Sequence, residues 1–287
     1  MRWENGRESG NVEDRRRMRL PRKAGVAGGG LGTIVLVLVA LYFGFDPSIF
    51  LDQTQVSVPD SGLQPSPHSG SPDEDRLAKF VSVVLADTED TWRVLFRGMG
   101  QSYQEPRLVL FSGAVESACG LASAAVGPFY CPADHKVYID LGFYHDLKSR
   151  YGAPGDFAQA YVIAHEIGHH VQNLLGIADK VNQMRARVSE VEANRLSVMM
   201  ELQADCLAGI WAHHADKARQ ILEEGDVEEA LNAASSIGDD RMQQRSRGYV
   251  TPDSFTHGTS AQRVRWFRTG LQTGDVGQCN TFASSRP

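Results

Sequence analysis

The feature that most restricts what this chain can become is the segment Ala160 to Gln172, which carries His165, Glu166 and His169 in the order His-Glu-x-x-His. Around it Phe157, Tyr161, Ala164, Gly168, Val171 and Leu175 recur in steps of three and four, a spacing that predicts a helix with one buried face. Residues four apart on a helix lie one above the other, so His165 and His169 can aim two imidazoles at one metal ion. Glu166 is turned about 100° from His165. It is therefore no ligand but the general base, placed to take a proton from a water at the metal. His170 points elsewhere around the helix and reads as structural or surface-facing.

Two histidines do not close a catalytic zinc site, which takes three protein ligands and leaves one position open. The metzincin pattern would need Gly at 172 and His at 175; the chain has Gln172 and Leu175 there, which excludes that class. Glu201 is the expected third ligand. It stands in a largely apolar stretch (Leu196, Val198, Met199, Met200, Leu202, Ala204, Leu207) where a carboxylate is buried and must be compensated. Glu192, or a histidine such as His213 or His214, is the alternative. Asp205, one turn beyond Glu201, is expected to accept a hydrogen bond from a ligand histidine, His165, and fix its tautomer. One Zn2+ per chain suits this set, although affinity order alone does not select zinc over another divalent ion.

The N-terminal part follows different rules. Residues 1–23 carry eight Lys/Arg against four Asp/Glu, which leaves a net −10 for the rest of a chain of formal charge −6, so nucleic acid is not an expected partner. Ala24 to Phe45 is free of charge and long enough for one membrane helix, which needs about 20 residues. With Arg15, Arg16, Arg17, Arg19, Arg22 and Lys23 on one side only, the expected arrangement is a cytoplasmic basic tail (1–23), a single transmembrane helix (24–45) in the cell membrane and an extracytoplasmic body. A cleaved signal peptide is the competing reading, against which Asp46-Pro47-Ser48 offers no small-residue cleavage pattern. Residues 46–75, rich in Ser, Pro, Gly and Asp, read as a flexible linker, and 76–287 as the folded domain. Its four cysteines suit an oxidising compartment, with Cys119 expected to pair with Cys131 and Cys206 with Cys279. A cysteine metal site is disfavoured, since no pair has the close spacing of zinc knuckles.

Leu77, Phe80, Val81, Val84 and Leu85 predict a helix from about Arg76 to Phe96. Arg107–Val115, Gly127–Cys131 and Lys136–Leu141 read as a small sheet. Helices are then expected over Tyr144–Arg150, Pro154–Gly176, Ala178–Ala215, Lys217–Glu224, Val227–Arg245 and Ser260–Gly270. The fold class is α+β, a small sheet followed by a mostly helical bundle.

Ala118-Cys119-Gly120, Val126 to Asp134, His165 to Gln172, Glu201 to Cys206 and Ser254 to Ser260 together resemble the bacterial neutral zinc metallopeptidases, membrane-anchored proteins of the zincin class with a Glu third ligand. The resemblance runs from Arg76 to Phe282 and implies a zincin-like fold, zinc and peptidase activity, without a substrate. In similar membrane-associated enzymes a His and then an Arg follow the Glu ligand. That implies His257, with Arg263 as companion, as a donor to the oxyanion of the tetrahedral intermediate. The plainer reading of this stretch is a helix entry capped by Thr256, Thr259 or Ser260. Tyr130 is a competing donor, and its strand or Lys136–Leu141 offers an edge along which an extended peptide can add.

Two functions follow. One is hydrolysis of peptide bonds in a peptide or protein substrate, with Glu166 moving the proton. The other is a catalytically silent zincin fold serving as a membrane-tethered binding or assembly module. Glu166 separates them, because a fold kept only for binding needs no general base.

Overall fold

Ser71 begins the first helix, α1 (Pro72–Gly98), in the computed structural model, which describes residues 1–16 and 71–283. Its hydroxyl accepts from the Glu74 N–H (3.2 Å) while the Glu74 carboxylate accepts from the Ser71 N–H (3.0 Å), a reciprocal capping box with Pro72 at the first helical position. Asp73, Glu74 and Asp75 add favourable charge at the positive end of the helix dipole. The end of the expected 46–75 linker is thus a helix start: acidic, Pro-containing composition looks the same in both until the cap is recognised. The expected membrane helix over 24–45 and the rest of the linker lie outside the described residues. Among those described, no helix is long and apolar enough to cross a membrane.

Strands β1 (Val12–Asp14), β2 (Arg107–Phe111), β5 (Phe129–Cys131) and β6 (Lys136–Asp140) form one sheet in the order β1-β2-β6-β5. β1 runs parallel to β2 and β2 parallel to β6, while β5 is antiparallel to β6. β3 (Ala114–Ser117) and β4 (Gly120–Ser123) make a separate hairpin, so the expected strand through Val115 ends at Phe111. A turn through Gly113, whose φ of 80° favours glycine, separates the two pieces. Of the two strands that could serve as a peptide-binding edge, β6 is interior and β5 is the edge. The disulfide Cys119–Cys131 ties the hairpin to β5, and Cys206–Cys279 closes the C-terminal end, the pairing expected from sequence.

The helical part comprises α2 (Gly142–Ser149), α3 (Asp156–Leu174), α4 (Ile177–Arg185), α5 (Glu190–Arg219), α6 (Asp226–Ser236), α7 (Asp239–Arg247) and α8 (Ser260–Thr273). The helix expected over 178–215 is two, broken before Ser189, whose hydroxyl caps Glu192. The one expected over 227–245 breaks at Gly238, and the one expected over 217–224 is the end of α5 followed by a turn. Apolar periodicity alone does not show such breaks, because the buried stripe continues across them. α5 packs against α3 and α8. At its crossing with α8 the helices meet glycine to glycine: a Cβ on Gly209 would lie 2.1 Å from the Phe267 carbonyl, and one on Gly270 1.9 Å from that of Cys206. Phe157, Tyr161, Ile163 and Ile167 of α3 and Leu202, Leu207, Ile210 and Trp211 of α5 fill the core.

Residues 1–16, expected as a separate basic tail, are instead part of the same compact unit as the domain. Met1 and Trp3 are buried in the main core, Trp3 meeting Phe80 edge to face at 5.3 Å. Side chains of this kind contribute about 1.5–3 kcal/mol each when fully buried. Basic composition hid this because the charges are spent on local carboxylates: Arg7 pairs with Glu89 and Asp90, Arg15 with Glu13, and Arg16 with Asp14.

Candidate metal centre

The close approach of α3 and α5 makes the site. Tyr161 meets Asp205 and Gln172 meets Met200, so the helices run antiparallel. Between these contacts Gly168 faces Ala204, and an added Cβ would stand 2.9 Å from the Ala204 carbonyl oxygen and 3.0 Å from its Cα. The missing side chain lets Glu201 reach both histidines. His165 Nε2 is 3.1 Å from one Glu201 oxygen and His169 Nε2 is 3.4 Å from the other.

Ligand atoms held at about 2.0–2.1 Å around a tetrahedral zinc stand roughly 3.3 Å apart, and the 3.1 and 3.4 Å separations of the Glu201 oxygens from the two imidazole nitrogens are of that order. Among the described residues the other grouping able to hold a cation is Asp156, Asp226 and Glu229, where the Met1 ammonium donates to Asp156 (2.7 Å) and Asp226 (3.3 Å). The alternative third ligands lie elsewhere. Glu192 is exposed and pairs with Arg195, while His213 and His214 bond the carbonyls of Leu271 and Gly274.

Each histidine is oriented from behind. His165 Nδ1 lies 2.9 Å from Asp205, and with that N–H donating, Nε2 keeps its lone pair for a metal. Asp205 is fully buried and receives Arg263 Nε (2.8 Å) and Nη2 (2.9 Å) together with the Tyr161 hydroxyl. Arg263, itself 1% exposed, therefore serves Asp205 rather than accompanying His257 as expected. Burial would raise the Asp205 carboxyl, but the Arg263 charge and His165 outweigh it and hold it below the usual range. Burial likewise would lower His165, yet the Asp205 charge and hydrogen bond and Glu201 raise it to about 10 before any metal competes. His169 Nδ1 bonds Gln172 Oε1 (2.9 Å), whose amide donates to the Met200 carbonyl (2.7 Å). Gln172 served sequence reasoning only to exclude another class; its position one turn from His169 was the signal for this role.

Glu166 is 8% exposed, next to His165, and burial raises its carboxyl above the ordinary range although both histidines pull it down. His170 is buried: Nε2 donates to the Gln104 carbonyl (2.6 Å), Nδ1 accepts from the Tyr130 hydroxyl (2.9 Å), and burial lowers its pKa to about 4. Tyr130 thus spends its hydroxyl on His170, with Asn173 also donating to it.

His257 and Glu201 influence each other through their charges, the histidine helping to lower the Glu201 carboxyl and Glu201 helping to raise the histidine. Its loop is held by Asp239, at the start of α7, whose Oδ2 accepts from the N–H groups of Thr256 (2.8 Å), His257 (2.6 Å) and Gly258 (2.9 Å). Oδ1 of the same residue is 3.3 Å from His257 Nδ1. Nothing in the local sequence marks Asp239, which lies 18 residues from the histidine it holds. The helix-entry reading is also realised, since Thr259 caps α8 through Gln262.

A family model described as "Putative neutral zinc metallopeptidase" matches residues 1–282. The chain belongs to this family. Zinc is accordingly the metal, and peptide hydrolysis the class of reaction, that the description of this family implies. A relative from Escherichia coli K12, the uncharacterized protein YpfJ, is 54% identical over 99% of this chain and 100% of its own. The uncharacterized proteins Rv2575 of Mycobacterium tuberculosis H37Rv and Mb2605 of Mycobacterium bovis are 40% identical over 86% of each chain. No solved structure matches. The family match begins at residue 1, in keeping with the place of the N-terminal strand in the sheet.

Proposed function

We propose that the chain hydrolyses peptide bonds, with His165, His169 and Glu201 holding one zinc ion and Glu166 acting as general base. The observation that carries this is the convergence of three ligand atoms within 4.8 Å of one another, beside a buried carboxylate that is not among them. Zinc, when bound, supplies Lewis acidity, making a water easier to deprotonate and a carbonyl easier to attack. Glu166, its carboxyl raised by burial, takes the proton and returns it to the leaving amine. His257, turned by Asp239, donates to the oxyanion. Asp205 and Gln172 keep the two imidazoles aimed, and an extended substrate adds along the free edge of β5, whose Tyr130 rests on α3.

The test is hydrolysis of an unstructured protein, with metal content, for the wild type and Glu166→Gln. Both are expected to bind one zinc, with hydrolysis falling about 10²–10⁴-fold in the variant. Zinc binding by both without cleavage by the wild type would refute the enzyme reading in favour of a binding module. Absence of metal in both would refute the site.

A further inference from the structure

The two histidines of the metal centre are backed by groups of different kinds. Behind His165 stands Asp205, an ionised carboxylate that accepts through either oxygen and has no donor to present. Behind His169 stands the amide of Gln172, fully buried, with an oxygen at one end and an NH₂ at the other. Turned by half a revolution, such an amide keeps nearly the same shape but reverses its polarity. Its NH₂ would then donate to His169 Nδ1, and the imidazole would carry its proton on Nε2, where a metal needs the lone pair. The neighbours of Gln172 must therefore fix which end faces His169.

That fixing runs from α3 through α5 to the C-terminal end of the described residues. Gln172 Nε2 donates to the Met200 carbonyl (2.7 Å) and to Gln203 Oε1 (3.1 Å). The first is a backbone carbonyl and can only accept. The second belongs to another buried amide, which is held in turn because its own Nε2 donates to the Cys279 carbonyl (2.9 Å), again an acceptor only. Backbone carbonyls thus set the polarity of both amides, and a relay leads from Cys279 through Gln203 and Gln172 to His169. The segment that supplies the last carbonyl is fastened to the same stretch of α5 at two points. Cys279 is disulfide-bonded to Cys206, and the Thr281 hydroxyl donates to the Met199 carbonyl (2.7 Å), just ahead of Glu201. Cys279 and Thr281 are both buried. Without Gln203 and its acceptor, one N–H of buried Gln172 has no partner, and resistance to reversal rests on Met200 alone.

We propose that the C-terminal segment from Cys279 to Thr281 is a strap that positions a metal ligand: through Gln203 and Gln172 it fixes the tautomer of His169 and with it the affinity for zinc. Gln203 is a positioning residue that acts on the metal only through others, and the Cys206–Cys279 disulfide keeps its acceptor in place. The proposal rests on the reading of His169 as a zinc ligand and holds whether or not the site is catalytic.

Gln203→Met nearly preserves the size of the side chain and removes both ends of the relay. In the full-length chain it is expected to weaken zinc binding about 10-fold in competition with a chromogenic chelator. In nitrogen-resolved proton NMR spectra of the zinc-loaded chain, the ring N–H of His169 is expected to broaden through solvent exchange, while that of His165, held by Asp205, stays sharp. General loosening of the fold would move both. Cys206→Ala with Cys279→Ala releases the strap and leaves both amides in place. It is expected to produce the same selective change and, combined with Gln203→Met, to weaken zinc no further than the larger of the two effects alone. Wild-type zinc affinity in Gln203→Met, equal broadening of the two ring N–H signals, or additive effects in the combined variant would overturn the strap. A wild type that binds no zinc would instead remove the metal centre itself, and the strap with it.

Discussion

Arg263→Met isolates the buried charge behind the metal centre. Arg263 and Asp205 are 1% and 0% exposed and share two hydrogen bonds of 2.8 and 2.9 Å, so the variant leaves the Asp205 carboxylate facing only His165 and the Tyr161 hydroxyl. Removing one member of such a pair costs about 3–5 kcal/mol, chiefly because the remaining charge stays desolvated. In a domain of this size 1 kcal/mol moves Tm by about 2–4 °C, so the expected fall is roughly 6–20 °C. Urea unfolding under non-reducing conditions, with metal removed so that zinc does not add its own linkage, measures the loss. The double variant with Asp205→Asn no longer buries an unpaired charge and is expected to be more stable than the sum of the single effects by at least about 1 kcal/mol. A single variant within about 1 kcal/mol of the wild type, or a double variant that is merely additive, would refute the argument. The double variant should still bind zinc about 10–100-fold more weakly, since the His165 N–H then faces a neutral amide, whose oxygen and NH₂ exchange places by rotation, instead of a carboxylate that fixes its tautomer.

Other perturbations probe the remaining links. His257→Ala is expected to lower kcat about 10²–10³-fold with zinc content unchanged, and Asp239→Asn, which keeps an oxygen for the backbone N–H groups but no acceptor for His257, to lower kcat less; zinc titration and steady-state kinetics check both. Gly168→Ala should favour the helix by about 1 kcal/mol on propensity alone, yet the contact with Ala204 is expected to reverse the sign and to weaken zinc binding by parting Glu201 from the histidines, as urea unfolding and zinc titration would show. Glu13 has its pKa lowered to about 2: burial opposes this, but Lys136, Arg15 and Arg107 prevail. Its stabilisation is therefore full above about pH 4.5 and lost as the pH falls towards 2, and Glu13→Gln should flatten that part of the stability profile in acid titrations.

What was legible in the sequence is what depends on short-range spacing. His165, Glu166 and His169 share one helix, so their geometry is fixed by 3.6 residues per turn before any packing. The same holds for Glu201 and Asp205, one turn apart, and the apolar surroundings of Glu201 pointed to a carboxylate withdrawn from solvent, which the structure leaves partly rather than fully buried. The family resemblance supplied His257, which no local rule marks. Tertiary structure decided how these pieces meet. That α3 and α5 run antiparallel at the closeness Gly168 allows, that Arg263 turns to Asp205, that Asp239 holds His257 and that Gln172 backs His169 all depend on contacts between elements far apart in the chain. The N-terminal segment is the sharpest case. Its composition describes a basic tail, yet strand pairing and a buried Glu89 draw it into the domain, because hydrogen bonding and desolvation depend on what surrounds a residue in space.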